Sequence, residues 1–309
     1  MLRLLLLLFA LVTAIGARAA EVDAPPPTQA DIPYGPHERH RLDLWLPATQ
    51  TPAPLVVYIH GGCFTEGDKA SAREQKLIQQ CLDAGVAYAA VNYRYLAPGV
   101  PIQAILRDCA RAIQFLRSQA PGWKLDPARV AAYGSSAGAG TSLWLAFHDD
   151  LADPKNADPV LRESTRVTCA VALSTQASYN FVRWVEIFGA ETVSRYGQSY
   201  QSPGLYGFAS RGDLLGAAGQ AVLADCDMLA LLSPDDPPVF LQNRRPAGDV
   251  TNHGHFLHHP RHAQLVYDRA RELGVTVIAD LPDYGTSPPP GGPGTVRDFL
   301  FKQLRVTRP

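Results

Sequence analysis

Apolar and polar positions alternate with two different periods along this chain, and their order predicts its architecture. Arg41 to Leu46 alternates residue by residue and reads as an early edge strand that ends at Pro47. Leu55 to Ile59 is fully apolar and runs into His60-Gly61-Gly62, as a buried strand feeding a loop does. Residues 70–84 read as a helix stopped by Gly85, and Val86 to Tyr93 as the next strand. From Ile102 to Gln119 the spacing puts Ile102, Ile105, Cys109, Ala112, Ile113 and Leu116 on one helical face. Arg129 to Tyr133 is a strand entering Gly134, followed by a helix over Ala137 to Phe147 and a strand over Val167 to Leu173. Later come a strand (Val239 to Gln242), a helix (Pro260 to Leu273), a strand (Val275 to Leu281) and a closing helix (Thr295 to Leu304). Strand and helix in turn predict an α/β fold, a mostly parallel sheet wrapped by helices.

One stretch breaks the rhythm. Residues 174–220 are rich in aromatics, among them Tyr179, Phe181, Trp184, Phe188, Tyr200 and Tyr206, and carry several glycines. A cap over a pocket has this composition, and so does irregular packing at a sheet edge. With no internal repeat, the simplest account is one domain over residues 34–309 with a cap-like insertion at about 174–220.

The N-terminus changes the picture of where the protein works. Arg3, the apolar run Leu4 to Ile15 and Ala17-Arg18-Ala19 form the three parts of a secretory signal peptide over residues 1–19. The run is too short for the roughly 20 residues a membrane span needs, so the mature chain is expected to have no span, and an uncleaved anchor is the alternative. Residues 20–33, with Pro25-Pro26-Pro27, read as a stiff exposed linker. Export implies a secreted or periplasmic, oxidising compartment. The five cysteines are irregularly spaced, fit neither a zinc pattern nor a small disulfide scaffold, and cannot all pair within one chain. A formal charge of −1 and the lack of a basic stripe argue against nucleic acid as a partner. Oligomeric state is left open.

The candidate chemistry sits at Gly134-Ser135-Ser136-Ala137-Gly138, a G-x-S-x-G pattern placed where an apolar strand meets a helix. That strand–turn–helix is the context a nucleophile elbow requires, with Ser136 exposed above the sheet and the Ala137 amide aimed at the same place as an oxyanion donor. His60-Gly61-Gly62 follows an earlier strand, and the amides of Gly61, Gly62 or Cys63 are further donors. With Gly67-Asp68-Lys69, Asn92-Tyr93-Arg94-Tyr95 and Asp126-Pro127-Ala128-Arg129-Val130, these motifs give a recognisable set. The chain resembles the hormone-sensitive-lipase-like and feruloyl-esterase-like carboxylesterases of the α/β-hydrolase superfamily. The resemblance implies an eight-stranded sheet, a small-molecule ester substrate, no cofactor and Ser136 as nucleophile.

The chain departs from that family in two places. Cys63 stands where many members have a third loop glycine, and its side chain narrows the site. More consequentially, the family's histidine follows the last strand, where this chain has Pro282-Asp283-Tyr284-Gly285-Thr286, and no histidine occurs after His262. A serine without a base is a poor nucleophile. His253, His255, His258, His259 and His262 instead crowd the segment after the Val239–Gln242 strand, where the resembled family carries its acid, here matched by Asp249. Three readings stand for the cluster. His258 or His259 is a relocated base working with Asp249; the histidines hold Zn²⁺ or Cu²⁺; or they decorate a solvated loop.

Two functions follow. One is an exported serine hydrolase of a small acyl, aryl or sugar ester, with Ser136, a non-standard histidine and Asp249 at its centre. The other is a non-catalytic or weakly active relative that keeps the pocket for binding.

Overall fold

A computed structural model describes residues 24–74, 76–197, 200 and 202–306. Residues 1–19, expected to be a signal peptide, lie outside them. Eight strands form one sheet: β1 (Gln29–Pro33), β2 (Arg41–Trp45), β3 (Ala53–Ile59), β4 (Ala87–Val91), β5 (Leu125–Ser135), β6 (Cys169–Leu173), β7 (Val239–Gln242) and β8 (Val277–Asp280). Their spatial order is β1-β2-β4-β3-β5-β6-β7-β8. β1 and β2 run antiparallel to their neighbours, and β3 to β8 are mutually parallel.

Strand geometry explains the layering. Side chains alternate across a sheet, so Leu55, Val57 and Ile59 of β3 enter one core while Val56 and Tyr58 enter the other. The first core is covered by the helices Ile102–Ser118, Ala137–Phe147 and Arg261–Leu273. The second is closed by Leu77–Asp83 and Val296–Gln303. Both faces of the central strands are therefore dry, which is why β3 and β4 are apolar at every position.

Two expectations need correction. Residues 20–33 are not wholly a linker: Gln29–Pro33 is the edge strand, so β2 is an interior strand. Polar contacts hold that segment. The Trp45 indole donates to the Pro25 carbonyl at 2.7 Å, and Lys69 reaches Asp31 at 2.8 Å. Composition could not show this, because β1 is mostly exposed and has no hydrophobic signature. The helix expected over 70–84 is a 3₁₀ turn (Lys69–Glu74) followed by Leu77–Asp83.

Between β6 and β7 lies a run of short helical segments, from Phe181–Arg183 to Met228–Leu231, so the irregular region extends past residue 220. Cys63, Cys81, Cys109, Cys169 and Cys226 are all free thiols, and all but Cys63 are buried as small apolar side chains. Among the described residues no helix is long and apolar enough to cross a membrane.

Candidate active site

The C-terminal ends of β3, β5, β6 and β7 point the same way, and ligand sites of open α/β sheets lie at that edge. β5 ends in the elbow. Ser136 has φ 54° and ψ −122°, a left-handed backbone that a non-glycine residue adopts only when its surroundings impose it. The flanking glycines allow the imposition. A Cβ on Gly138 would lie 1.9 Å from the Ile59 carbonyl oxygen, and one on Gly134 would lie 2.3 Å from the Gly138 carbonyl. The chain can turn this sharply from β5 into the Ala137–Phe147 helix only without those carbons.

The loop after β3 wraps the elbow. A Cβ on Gly61 would come within 3.2 Å of the Ser136 Cβ, so the two segments touch. Gly62 has φ +109° and its carbonyl accepts from the amides of Thr65 and Glu66, at 2.9 and 3.1 Å, closing a tight turn. Cys63 also has positive φ, 51°. Two further carbonyls at the ends of the loop are tied down: Tyr93 donates its hydroxyl to the His60 carbonyl at 2.8 Å, while Tyr95 and Arg39 both donate to Gly67. Behind the loop, Asn92 accepts from the Lys69 amide at 2.6 Å and donates to Asp68 at 2.7 Å, and Lys69 is salt-bridged to the buried Asp43 at 2.8 Å. The Gly67-Asp68-Lys69 and Asn92-to-Tyr95 motifs are the buttress of this loop. The amides of Gly62, Cys63 and Ala137 bond no acceptor among the described residues, and Cys63 and Ala137 line one small cavity with Ser136. They are free donors at the elbow.

His258 reaches the serine. Its Nε2 lies 2.7 Å from Ser136 Oγ, and its Nδ1 lies 2.9 Å from the Gly254 carbonyl oxygen. A carbonyl only accepts, so Nδ1 carries the hydrogen and the neutral ring presents an Nε2 lone pair to the hydroxyl. Burial lowers the His258 pKa below the usual 6.5; the Gly254 contact works against this, and nearby Arg245 and His253 add to it. The ring is thus neutral and ready to accept a proton at pH 7.

The other sequence candidates separate. His259 turns away: its Nε2 bonds the Gly248 carbonyl at 2.8 Å and its Nδ1 accepts from the Arg261 amide at 3.0 Å. Asp249 is exposed on the loop after β7, and both nitrogens of His258 are already taken by Ser136 and Gly254. The expected His258–Asp249 pair is not formed. His253, His255 and His262 bond the separate carbonyls of Tyr196, Pro246 and Phe256. Among the described residues, no three His, Cys, Asp or Glu side chains converge as metal ligands would.

Three groups that no motif signalled hold His258 in place. The His253–Leu257 turn, capped by Asn252 through the His255 amide at 2.9 Å, presents the Gly254 carbonyl. Buried Gln176 donates to the Leu257 carbonyl at 2.8 Å, and buried Asn243 donates to the His258 carbonyl at 2.9 Å. The backbone on each side of the imidazole is therefore clamped by an amide. The position of Asn243, directly after β7, was the one visible hint.

An eight-stranded sheet of this order with a serine elbow on β5 defines an α/β-hydrolase fold. Residues 42–242 match the BD-FAE family, and the chain belongs to it. It is 29% identical over 171 residues to a probable isoprenylcysteine alpha-carbonyl methylesterase of Arabidopsis thaliana, covering 55% of this chain and 35% of that one. It is 33% identical over 89 residues to the kynurenine formamidase of Danio rerio, covering 28% of this chain and 29% of that one. The chain thus spans about a third of the length of the curated relatives it matches. Among solved structures, an acetyl ester-xyloside bifunctional hydrolase from Caldicellulosiruptor lactoaceticus superposes with a TM-score of 0.61 at 20% identity, covering 83% of this chain and 86% of that one. A truncated carbohydrate esterase from gut microbiota gives 0.62 at 16% identity, covering 93% and 99%. At these identities the structural likeness is one of fold.

Proposed function

We propose that the protein is a serine hydrolase of carboxylic esters that works with a Ser136–His258 pair. The observation that carries the reading is the 2.7 Å contact between Ser136 Oγ and His258 Nε2, with the correct tautomer held by Gly254. Esterase names among the relatives support the ester class.

In this reading Ser136 Oγ attacks the ester carbonyl carbon as its proton passes to His258 Nε2. The amides of Gly62, Cys63 and Ala137 bind the oxyanion of the tetrahedral intermediate, with Gly61 shaping the loop. His258 then returns the proton to the departing alcohol oxygen, leaving an acyl-enzyme that water cleaves by the same steps in reverse order. Among the described residues no carboxylate bonds the His258 ring, and the Gly254 carbonyl dipole orients it instead.

Hydrolysis of p-nitrophenyl acetate by the native protein and by Ser136→Ala tests the reading. A drop of about 10⁴-fold or more is expected. Equal rates, with no labelling of Ser136 by a fluorophosphonate, sink it. The absence of Asp249 from His258 favours a second reading, a binding protein that retains the pocket, and that same result selects it. The proposal includes export directed by residues 1–19, which N-terminal sequencing of the secreted or periplasmic protein checks against an uncleaved chain.

A further inference from the structure

Resting on the ester-hydrolase reading, we infer that the acyl side of the site admits an acetyl group and little more, with Phe181 and Tyr200 as the residues that set this limit. A tetrahedral carbon bound to Ser136 Oγ carries three other substituents: the oxyanion, the leaving oxygen and the acyl chain. The leaving oxygen must lie within hydrogen-bond reach of His258 Nε2, which protonates it. The oxyanion belongs at the free amides. The acyl chain takes the remaining direction.

One cavity opens at Ser136 away from His258 and beside the oxyanion donors, so the acyl chain shares it with the oxyanion. It is lined by Cys63, Phe64, Ala137, Gln176, Tyr179, Phe181, Tyr200 and Leu257, and His258 is not part of its wall. Its volume is about 20 Å³. So small a space leaves room for a short acyl group and none for a long chain. Pockets for drug-sized ligands are far larger, at about 300–1,000 Å³.

The wall is not soft. Phe64 and Tyr179 meet edge to face at 5.2 Å, and the Tyr179 hydroxyl donates to the Ala137 carbonyl at 2.5 Å. The Phe181 amide donates to the Tyr206 hydroxyl at 2.9 Å, and that hydroxyl donates to the Tyr179 carbonyl at 2.7 Å. Phe181 in turn packs on Trp184 and Tyr200, each 4.9 Å away between ring centres. Tyr200 is half-buried and closes the cavity from the insertion between β6 and β7. A longer chain has to push interlocked rings apart, and close-packed interiors resist that. One extra methylene in a tight apolar pocket costs roughly 10–200-fold in kcat/KM.

The experiment compares kcat/KM for p-nitrophenyl acetate, butyrate and hexanoate in the native protein, Tyr200→Ala and Phe181→Leu. The native protein is expected to prefer acetate over hexanoate by about 100-fold or more. In each variant that ratio is expected to fall about 10-fold or more, whatever happens to the acetate rate. Ser136-dependent turnover of hexanoate as fast as acetate by the native protein overturns the acyl limit and leaves the esterase reading standing. An unchanged ratio in both variants, with native-like circular dichroism and melting, also overturns it. If no ester is turned over through Ser136, both readings fall together.

Discussion

The two halves of the site are built by different means. The nucleophile half, from the loop after β3 to the elbow after β5, is set by adjacent strands whose register places Ile59 beside Gly134. Its geometry is steric, because a single carbon at Gly134 or Gly138 would collide with backbone. The base half, from β7 to the Arg261–Leu273 helix, hangs on hydrogen bonds donated by Gln176 and Asn243 and on one that the Gly254 carbonyl accepts. A steric constraint fails all at once when violated, whereas a hydrogen-bonded one loosens by degrees. Substitutions in the first half should therefore threaten the fold, and those in the second should lower turnover in a folded protein.

The largest effect distinguishes the two neighbouring histidines. His258→Ala should lower kcat/KM for a p-nitrophenyl ester about 10³-fold or more, equivalent to about 4 kcal/mol of barrier. Next, Gly138→Ala should destabilise the protein by about 3 kcal/mol, since its Cβ meets the Ile59 carbonyl and the backbone has to move. Urea denaturation reads this, and a native-like midpoint would break the steric half of the contrast. Asn243→Ala should lower kcat about 10-fold with KM little changed, by freeing the carbonyl of His258 while the Ser136 side stays formed.

A pH profile sharpens the contrast further. As the proposed base, His258 has to be neutral, and burial depresses its pKa below 6.5. Activity should be lost as pH falls through a midpoint below 6.5 and be flat from there to neutral pH. A midpoint above 6.5 would signal a carboxylate partner. The smallest effects belong to His259→Ala and Asp249→Asn, each within about 3-fold of the native rate, because neither side chain touches His258 or Ser136. A fall of 100-fold in Asp249→Asn would restore that residue as the acid.

Much of the fold was legible beforehand. The helix Ala137–Phe147 and the strand Val239–Gln242 fall where periodicity puts them, because a dry core demands those patterns. β1 escaped notice since an exposed edge strand has no hydrophobic signature to read. The His253–Leu257 turn escaped because five residues are too few to show a helical period.

Ser136 as the elbow residue was readable from the chain alone. Local sterics require glycines at 134 and 138 around it, and local requirements leave local patterns. Which histidine meets Ser136 was not readable, because His258 and His259 are neighbours with the same side chain. Only the tertiary arrangement separates them. The clamp from Gln176 and Asn243 turns one ring toward the elbow, and the Gly248 carbonyl holds the other away from it. A contact across 122 positions depends on where two loops end after folding, and no pattern within either loop encodes it.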